Sequence, residues 1–237
     1  LSRLALPPLL TFLRQWDRLA AERVDHFVAI SAEIRRRIAK FYRREAAIIY
    51  PPVDTSRFFP AARVKDYYLT VGRLVPYRRL DILIEAFNKL GRPLLIGGSG
   101  RDRERLEAMA GPNVTFLGYV PDEELPERMA HCRAFLWPGD EDFGIAPIQA
   151  MAAGRPVIAY ASGGALETVV RGAGRLFAEQ SVAAIMEAVE TFDTESVSPA
   201  FIRNHAEKFD TGVFKRRLTE FIEEKMVGGK RQVASGK

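Results

Sequence analysis

Glu141-Asp142-Phe143-Gly144-Ile145-Ala146-Pro147-Ile148-Gln149-Ala150-Met151-Ala152-Ala153-Gly154-Arg155-Pro156-Val157-Ile158-Ala159 is the stretch on which the reading of this chain turns. It reads as an acidic loop, a short helix with its N-terminus at Phe143-Gly144, a glycine turn and a buried strand. The first turn of a helix leaves backbone N–H groups without intrahelical partners and carries partial positive charge, so it suits an anionic group. Glu141 stands just before that end, in reach of a neutral polar group bound beside the anion. Gln149 lies one or two turns further in. Asp142 fits simple helix capping better than Glu141 does.

On either side of this stretch the chain alternates. Short apolar runs fall at Tyr67–Val71, Pro93–Ile96, Val114–Leu117, Ala134–Trp137, Pro156–Tyr160 and Arg175–Phe177. Helical patterns separate them, such as Asp81 to Phe87. Strands apolar throughout and separated by amphipathic helices predict an α/β fold, a Rossmann-like doubly wound parallel sheet covered on both faces. Ligands then sit at the carboxyl ends of the strands.

Further out the pattern changes. Pro8 to Glu22 reads as a helix, Val24–Ile30 and Ala46–Tyr50 as strands, and Ser31 as the N-cap of a basic helix from Ala32 to about Arg44. Pro51 to Pro60 carries paired prolines with neither helical nor strand period, the mark of a linker. Helical patterns recur at Val182–Phe192, Ala200–Phe209 and Val213–Met226. The domain plan is therefore 1–50, a linker at 51–66, the Rossmann-like domain at 67–209, a last helix at 210–226, and a Gly-, Lys- and Ser-rich tail at 227–237 expected to be disordered.

The 237 residues are 47% hydrophobic and 27% charged, the balance of an ordinary globular protein. One cysteine, Cys132, excludes an intrachain disulfide. The apolar run Leu4 to Leu13 is too short to span a bilayer, although with Arg3, Arg14 and Arg18 beside it a surface position remains open. The net charge of +5 gathers at Arg35-Arg36-Arg37, Lys40, Arg43 and Arg44. No nucleic-acid signature accompanies it, so nucleic acid is not an expected partner. His26, His131 and His205 have no metal-ligand spacing, and none of the three, nor the His131-Cys132 pair, reads as catalytic.

Three more segments fall at strand ends. Val71-Gly72-Arg73-Leu74-Val75-Pro76-Tyr77-Arg78-Arg79 puts Arg73 and Arg78 on a βα loop, where a guanidinium pairs bidentately with phosphate oxygens. Gly72 permits close backbone approach. Gly97-Gly98-Ser99-Gly100 is neither a Walker loop nor a dinucleotide fingerprint; a plain turn and a ligand contact both fit. In Phe116-Leu117-Gly118-Tyr119-Val120-Pro121, Tyr119 or Val120 either flanks a flat ring or packs internally. Ser162-Gly163-Gly164 is a further small-residue turn that leaves room for a ligand.

Taken together and in this order, Gly72-Arg73-Leu74 with Arg78, Gly97-Gly98, Phe116 to Val120, and Glu141 through Gln149 with Ala150-Met151-Ala152-Ala153-Gly154 resemble the C-terminal half of retaining glycosyltransferases of family 4. The resemblance covers about Val53 to Val189. It implies a GT-B fold, in which this half binds a nucleotide-sugar donor and a preceding Rossmann-like domain binds the acceptor. It implies that Arg73 and Arg78 hold the diphosphate and act with Glu141 as the catalytic set. Gly72, Gly97, Gly98, Tyr119, Val120, Phe143, Gly144, Ile145 and Gln149 line the donor site, Glu141 facing the sugar and position 149 the ribose. The family needs no metal and no cofactor. Arg78-Arg79 and the Val-Pro-Tyr before them look most like bacterial mannosyltransferases using GDP-mannose, which implies a glycan or lipid-linked acceptor and a cytoplasmic place, with peripheral contact at the inner membrane surface as one option.

Two departures stand out. Position 78 is usually Lys and position 149 usually Glu; here they are Arg and Gln. The resemblance also implies that residues 1–50 are the last elements of the acceptor-side domain and that the last helix crosses back toward it. The chain begins at Leu1, not Met, so the expectation is a truncated chain that binds donor and transfers nothing alone. A nucleotide-sugar epimerase of the same fold and a non-catalytic nucleotide-sugar-binding module are the alternatives.

Overall fold

The computed structural model describes residues 2–234, with side chains from 6 to 227. The chain divides into two compact units, Leu1–Tyr50 and Pro51–Lys237.

In the first unit, α1 (Ser2–Glu22) precedes β1 (Phe27–Ala29), α2 (Ala32–Tyr42) and β2 (Ala46–Ile48). The two strands are parallel, Phe27 opposite Ala46. Ser31 caps α2 as expected, its Oγ accepting from the Ile34 N–H at 3.1 Å. The helix α1 starts at Ser2, before Pro7 and Pro8, rather than at Pro8. Its Leu9, Phe12, Trp16 and Leu19 are exposed. Among the described residues no helix is long and apolar enough to cross a membrane.

The second unit is built on β3 (Tyr68–Val71), α3 (Leu80–Leu90), β4 (Leu94–Gly97), α4 (Arg103–Met109), β5 (Val114–Gly118), α5 (Leu125–His131), β6 (Phe135–Trp137), α6 (Ile145–Ala152), β7 (Val157–Tyr160), α7 (Ala165–Thr168), β8 (Gly174–Phe177) and α8 (Val182–Thr191). The six strands are all parallel, in the order β5-β4-β3-β6-β7-β8. This is the expected doubly wound α/β sheet. The core sits where α3 (Leu83, Ile84, Phe87) and α8 (Ile185, Ala188, Val189) meet Leu94, Ile96, Leu136 and Ile158 of the sheet. Those strand residues are apolar because both faces of the sheet are covered.

The chain moves outward from β3 through β4 to β5, then returns to lay β6 on the other side of β3. Strand order reverses there, and a crevice opens outside the carboxyl ends of β3 and β6, where open α/β sheets bind ligands. At this switch point β3 and β6 share a single register pair, Leu69 with Phe135.

Two segments differ from the sequence reading. Residues 51–66 were expected to be a linker, yet much of the stretch is laid against the second unit. Val53 bridges Asp210, the Thr55 hydroxyl donates to the Asp210 carboxylate at 2.6 Å, and Phe58 is buried. The segment lacks a period because it follows that surface with only one short 3-10 turn, Thr55–Arg57. After α9 (Pro199–Ala206), α10 runs Thr211–Ala234 and so continues as helix past position 227, where a disordered tail was expected; residues 235–237 lie outside the described residues.

Candidate functional site

The loops after β3 and β6 meet over the crevice. One cleft is lined by Gly72, Arg73 and Arg78 from the first loop, Gly97 from the end of β4, and Trp137, Pro138 and Gly139 from the second. Contact between the loops is intimate: a Cβ on Gly139 would lie 2.8 Å from Arg78 Cα. A hydrogen bond at 2.9 Å from Gln180 Nε2 to the Pro138 carbonyl steadies the second loop.

Arg78 is the centre of the arrangement. It ends the short 3-10 turn Pro76–Arg78, after which Arg79 takes a left-handed φ of 53° and starts α3. Its guanidinium lies 4.1 Å from the centroid of the Trp137 ring, the geometry of a cation–π contact. Nη2 pairs with Glu141 Oε1 at 3.0 Å, and the two side chains are only 14% and 23% exposed. Nε and Nη1 are buried with no hydrogen-bond partner among the described residues. Buried donors without partners cost about 1–3 kcal/mol each, so their persistence calls for an explanation beyond packing.

Glu141 is held by its backbone. Its carbonyl accepts from the Gly164 N–H at 2.8 Å. A Cβ on Gly163 would sit 2.0 Å from that oxygen, and one on Gly164 would sit 2.4 Å from Phe143 Cα. The Ser162-Gly163-Gly164 turn was expected to leave room for a ligand; the room is filled by the Glu141–Phe143 backbone. Gly98 is similar. It has φ +128°, and its Cβ would fall 1.8 Å from the Gly72 carbonyl, so it lets two loops touch.

The helix α6 begins at Ile145, with Gly144 before it at φ 86°. Its first amides therefore point out from the carboxyl edge of the sheet, next to the Glu141 loop. The Phe143 side chain turns inward, its ring edge-on to Phe209 with centroids 5.7 Å apart, which leaves only its backbone toward the cleft. Gln149 is half-buried, and its side-chain amide has no partner among the described residues.

The structure thus brings Gly72, Arg73, Arg78 and Gly97 into one cleft, ties Glu141 to it through Arg78, and sets Gly144 and Ile145 beside Glu141. Val120 is buried, and a Cβ on Gly97 would meet it at 2.8 Å, so it backs the cleft from below. Tyr119, 75% exposed, points to solvent instead. Arg73 is exposed, and its Nη2 lies 3.3 Å from the Tyr77 hydroxyl, on the rim rather than in the interior. Trp137 and Gly139 were not singled out from sequence; their sign was only a strand ending Trp-Pro-Gly before the acidic loop.

Cys132, His131 and His205, which do not read as catalytic from sequence, sit in structural contacts. Cys132 is fully buried, and burial pushes its thiol up to about 12. His131 Nδ1 lies 2.7 Å from the Arg63 carbonyl, and buried His205 Nε2 lies 2.9 Å from that of Thr168.

Comparison with known proteins gives a consistent picture. The profile of the family described as Glycosyl transferases group 1 matches residues 54–209. The GDP-mannose-dependent alpha-(1-6)-phosphatidylinositol monomannoside mannosyltransferase of Mycobacterium tuberculosis H37Rv is 35% identical over 193 residues, covering 68% of this chain and 50% of that protein. The protein of the same name from Mycolicibacterium smegmatis is 34% identical over 180 residues, covering 62% and 47%. The chain spans about half the length of the curated relatives it matches. Among solved structures, Anabaena HepE in complex with UDP and glucose superposes with a TM-score of 0.79 at 22% identity, over 90% of this chain and 67% of that one. Sucrose-phosphate synthase of Thermosynechococcus elongatus gives 0.78 at 22% identity, over 91% and 62%. At that identity the likeness speaks to the fold, and it agrees with the sheet expected for the C-terminal half of a two-domain transferase.

Proposed function

The chain belongs to the glycosyl transferases group 1 family, and from that premise we propose that it is the donor-binding part of a retaining hexosyltransferase that takes mannose from GDP-mannose without a metal. The observation that carries this reading is Arg78: a guanidinium at the switch point, stacked on Trp137 and oriented by Glu141, with two donor nitrogens left over. A diphosphate has the oxygens to satisfy them. When the sugar leaves, negative charge grows on the nucleoside diphosphate, and a fixed cation beside the opening amides of α6 lowers the cost of that charge. Arg73 adds charge at the rim, Glu141 faces the sugar hydroxyls, and Gln149 reaches the ribose.

Mannose as the sugar is supported by the GDP-mannose dependence named for two relatives. Those relatives act on a phosphatidylinositol mannoside, which supports a glycan or lipid-linked acceptor and work at a membrane surface.

The test is a thermal-shift panel of GDP-mannose, UDP-glucose and ADP-glucose on the whole chain. A ligand at a hundred times its dissociation constant stabilises the folded state by about 2.7 kcal/mol. GDP-mannose should raise the melting temperature most. A panel with no shift for any nucleotide-sugar would overturn the proposal.

A further inference from the structure

A second buried guanidinium shows the same signature as Arg78, at the opposite edge of the sheet. Arg155 precedes β7, at the amino end of the strand. It is 5% exposed, its Nε is buried without a partner, and its side chain has no ion pair or hydrogen bond among the described residues. It lines a cavity of about 450 Å³ with Lys65, Asp66, Arg133, Glu195 and Pro199.

The charges in this cavity do not cancel. Arg133 Nη1 pairs with Asp66 at 3.0 Å, and its Nη2 lies 3.9 Å from Glu195, so both acids are engaged by one arginine. Lys65 is exposed and has no ion pair among the described residues, so three cations face two carboxylates and the cavity carries one net positive charge, with the buried Arg155 left without an acidic partner. An isolated charge taken out of water costs several kcal/mol unless something answers it.

A structural answer is available and insufficient. Arg155 follows the carboxyl end of α6, where a cation offsets the helix dipole. However, the Ala152 carbonyl at that end already accepts from Arg203 Nη1 at 2.7 Å. The dipole does not explain the cavity, its net positive charge or the unpartnered Nε.

We infer that this cavity is a second anion site, which holds a small phosphate-bearing ligand between Arg155 and Lys65, at the end of α6 remote from the donor cleft. The volume lies in the range of small-molecule pockets, about 300–1,000 Å³, and exceeds the needs of a bare phosphate. A phosphomonoester such as a hexose phosphate fits that space. The inference does not depend on the proposed donor site.

Calorimetric titration at low salt with inorganic phosphate and, separately, with glucose 6-phosphate tests it on the whole chain. Both probes should bind, the ester more tightly if its organic part occupies the cavity and equally if only the phosphate is held. Arg155→Leu should weaken binding at least about tenfold, the loss of one charge-assisted hydrogen bond. Arg155→Lys keeps the charge without the planar fork and should weaken it at least about threefold. Lys65→Ala, at an exposed position, should weaken it about twofold. The titrations are repeated in an Arg78→Met background, which removes the donor cleft's own phosphate partners, and binding should persist there with the same dependence on Arg155 and Lys65. If Arg155→Leu does not fold, Arg155→Lys and Lys65→Ala decide. The inference fails if neither probe binds up to about 10 mM, about −2.7 kcal/mol on the affinity scale. It also fails if those two variants bind like the parent, or if Arg78→Met abolishes phosphate binding.

Discussion

Arg78→Met separates the binding role of this residue from any role in holding the fold. Methionine keeps the length and apolar stem of the side chain while removing every donor. On the stability side, the substitution removes a cation–π contact of about 0.5–2 kcal/mol and leaves the largely buried Glu141 without its cation, a loss of about 3 kcal/mol. It also relieves Nε and Nη1 of burial without partners, a cost of about 1–3 kcal/mol apiece. These terms nearly cancel, so stability should change by no more than about 1 kcal/mol. For a unit of this size that is about 2–4 °C in melting temperature. On the binding side, two charge-assisted hydrogen bonds to a diphosphate disappear, at about 1.5 kcal/mol each by the lower estimate. Donor affinity should therefore fall by about 3 kcal/mol, roughly 150-fold. The reporter is built in. Trp16 and Trp137 are the only tryptophans, so a Trp16→Phe background makes Trp137 the sole fluorophore, in contact with the mutated group. Calorimetry with GDP-mannose gives the affinity independently. A large drop in melting temperature with unchanged donor affinity would refute the reasoning, because it would make Arg78 a packing residue.

Other perturbations have defined outcomes. Gln149→Glu supplies a carboxylate that accepts from both ribose hydroxyls, and calorimetry should show donor affinity rising by about 1 kcal/mol, around fivefold; an unchanged or weaker affinity contradicts the assigned role. Gly98→Ala forces a side chain into φ +128° and against the Gly72 carbonyl, so denaturant unfolding should register a loss of about 3 kcal/mol or more. Burial holds the His205 imidazole below its ordinary pKa. Its neutral form is the one the fold accepts, so the unfolded chain binds the extra proton first. Its share of stability is intact above the unfolded value and drains away as pH drops from there toward the lowered folded value. Melting curves between pH 8 and 5 should show a shallower acid slope for His205→Gln than for the parent. Cys132 should resist a thiol reagent at pH 8 until the protein unfolds, given its burial and a pKa near 12; prompt labelling of folded protein would argue against the buried placement.

The sheet was readable because its strands are covered on both sides. Tyr67–Val71, Val114–Leu117 and Pro156–Tyr160 differ from the observed strands by a residue or so at either end. The Ser31 cap was equally legible, since a hydroxyl before a helix has one obvious use. Proline pairs misled in two places. They suggested a free linker where Val53, Thr55 and Phe58 pack, and a late start for α1. At the site, sequence order singled out the cluster, but not which atoms meet. A glycine leaves a gap, and its letter cannot say whether a ligand or another stretch of backbone fills it. At Gly98, Gly163 and Gly164 it is backbone. Nor could spacing show that Arg78 and Glu141 would pair with each other, since this depends on how two loops far apart in the chain come together across the switch point.

The lone rung between Leu69 and Phe135 has a mechanical meaning. It makes the sheet two three-stranded panels sharing one backbone joint, with three or four register pairs between neighbouring strands inside each panel and one between the panels. Resistance to prying the panels apart must then come from side chains. On one face this is the α3–α8 packing; at the rim it is a guanidinium laid on an indole. If the proposed function holds, the pair that orients the donor, Arg78 on Trp137, is also the clasp that keeps the two panels aligned.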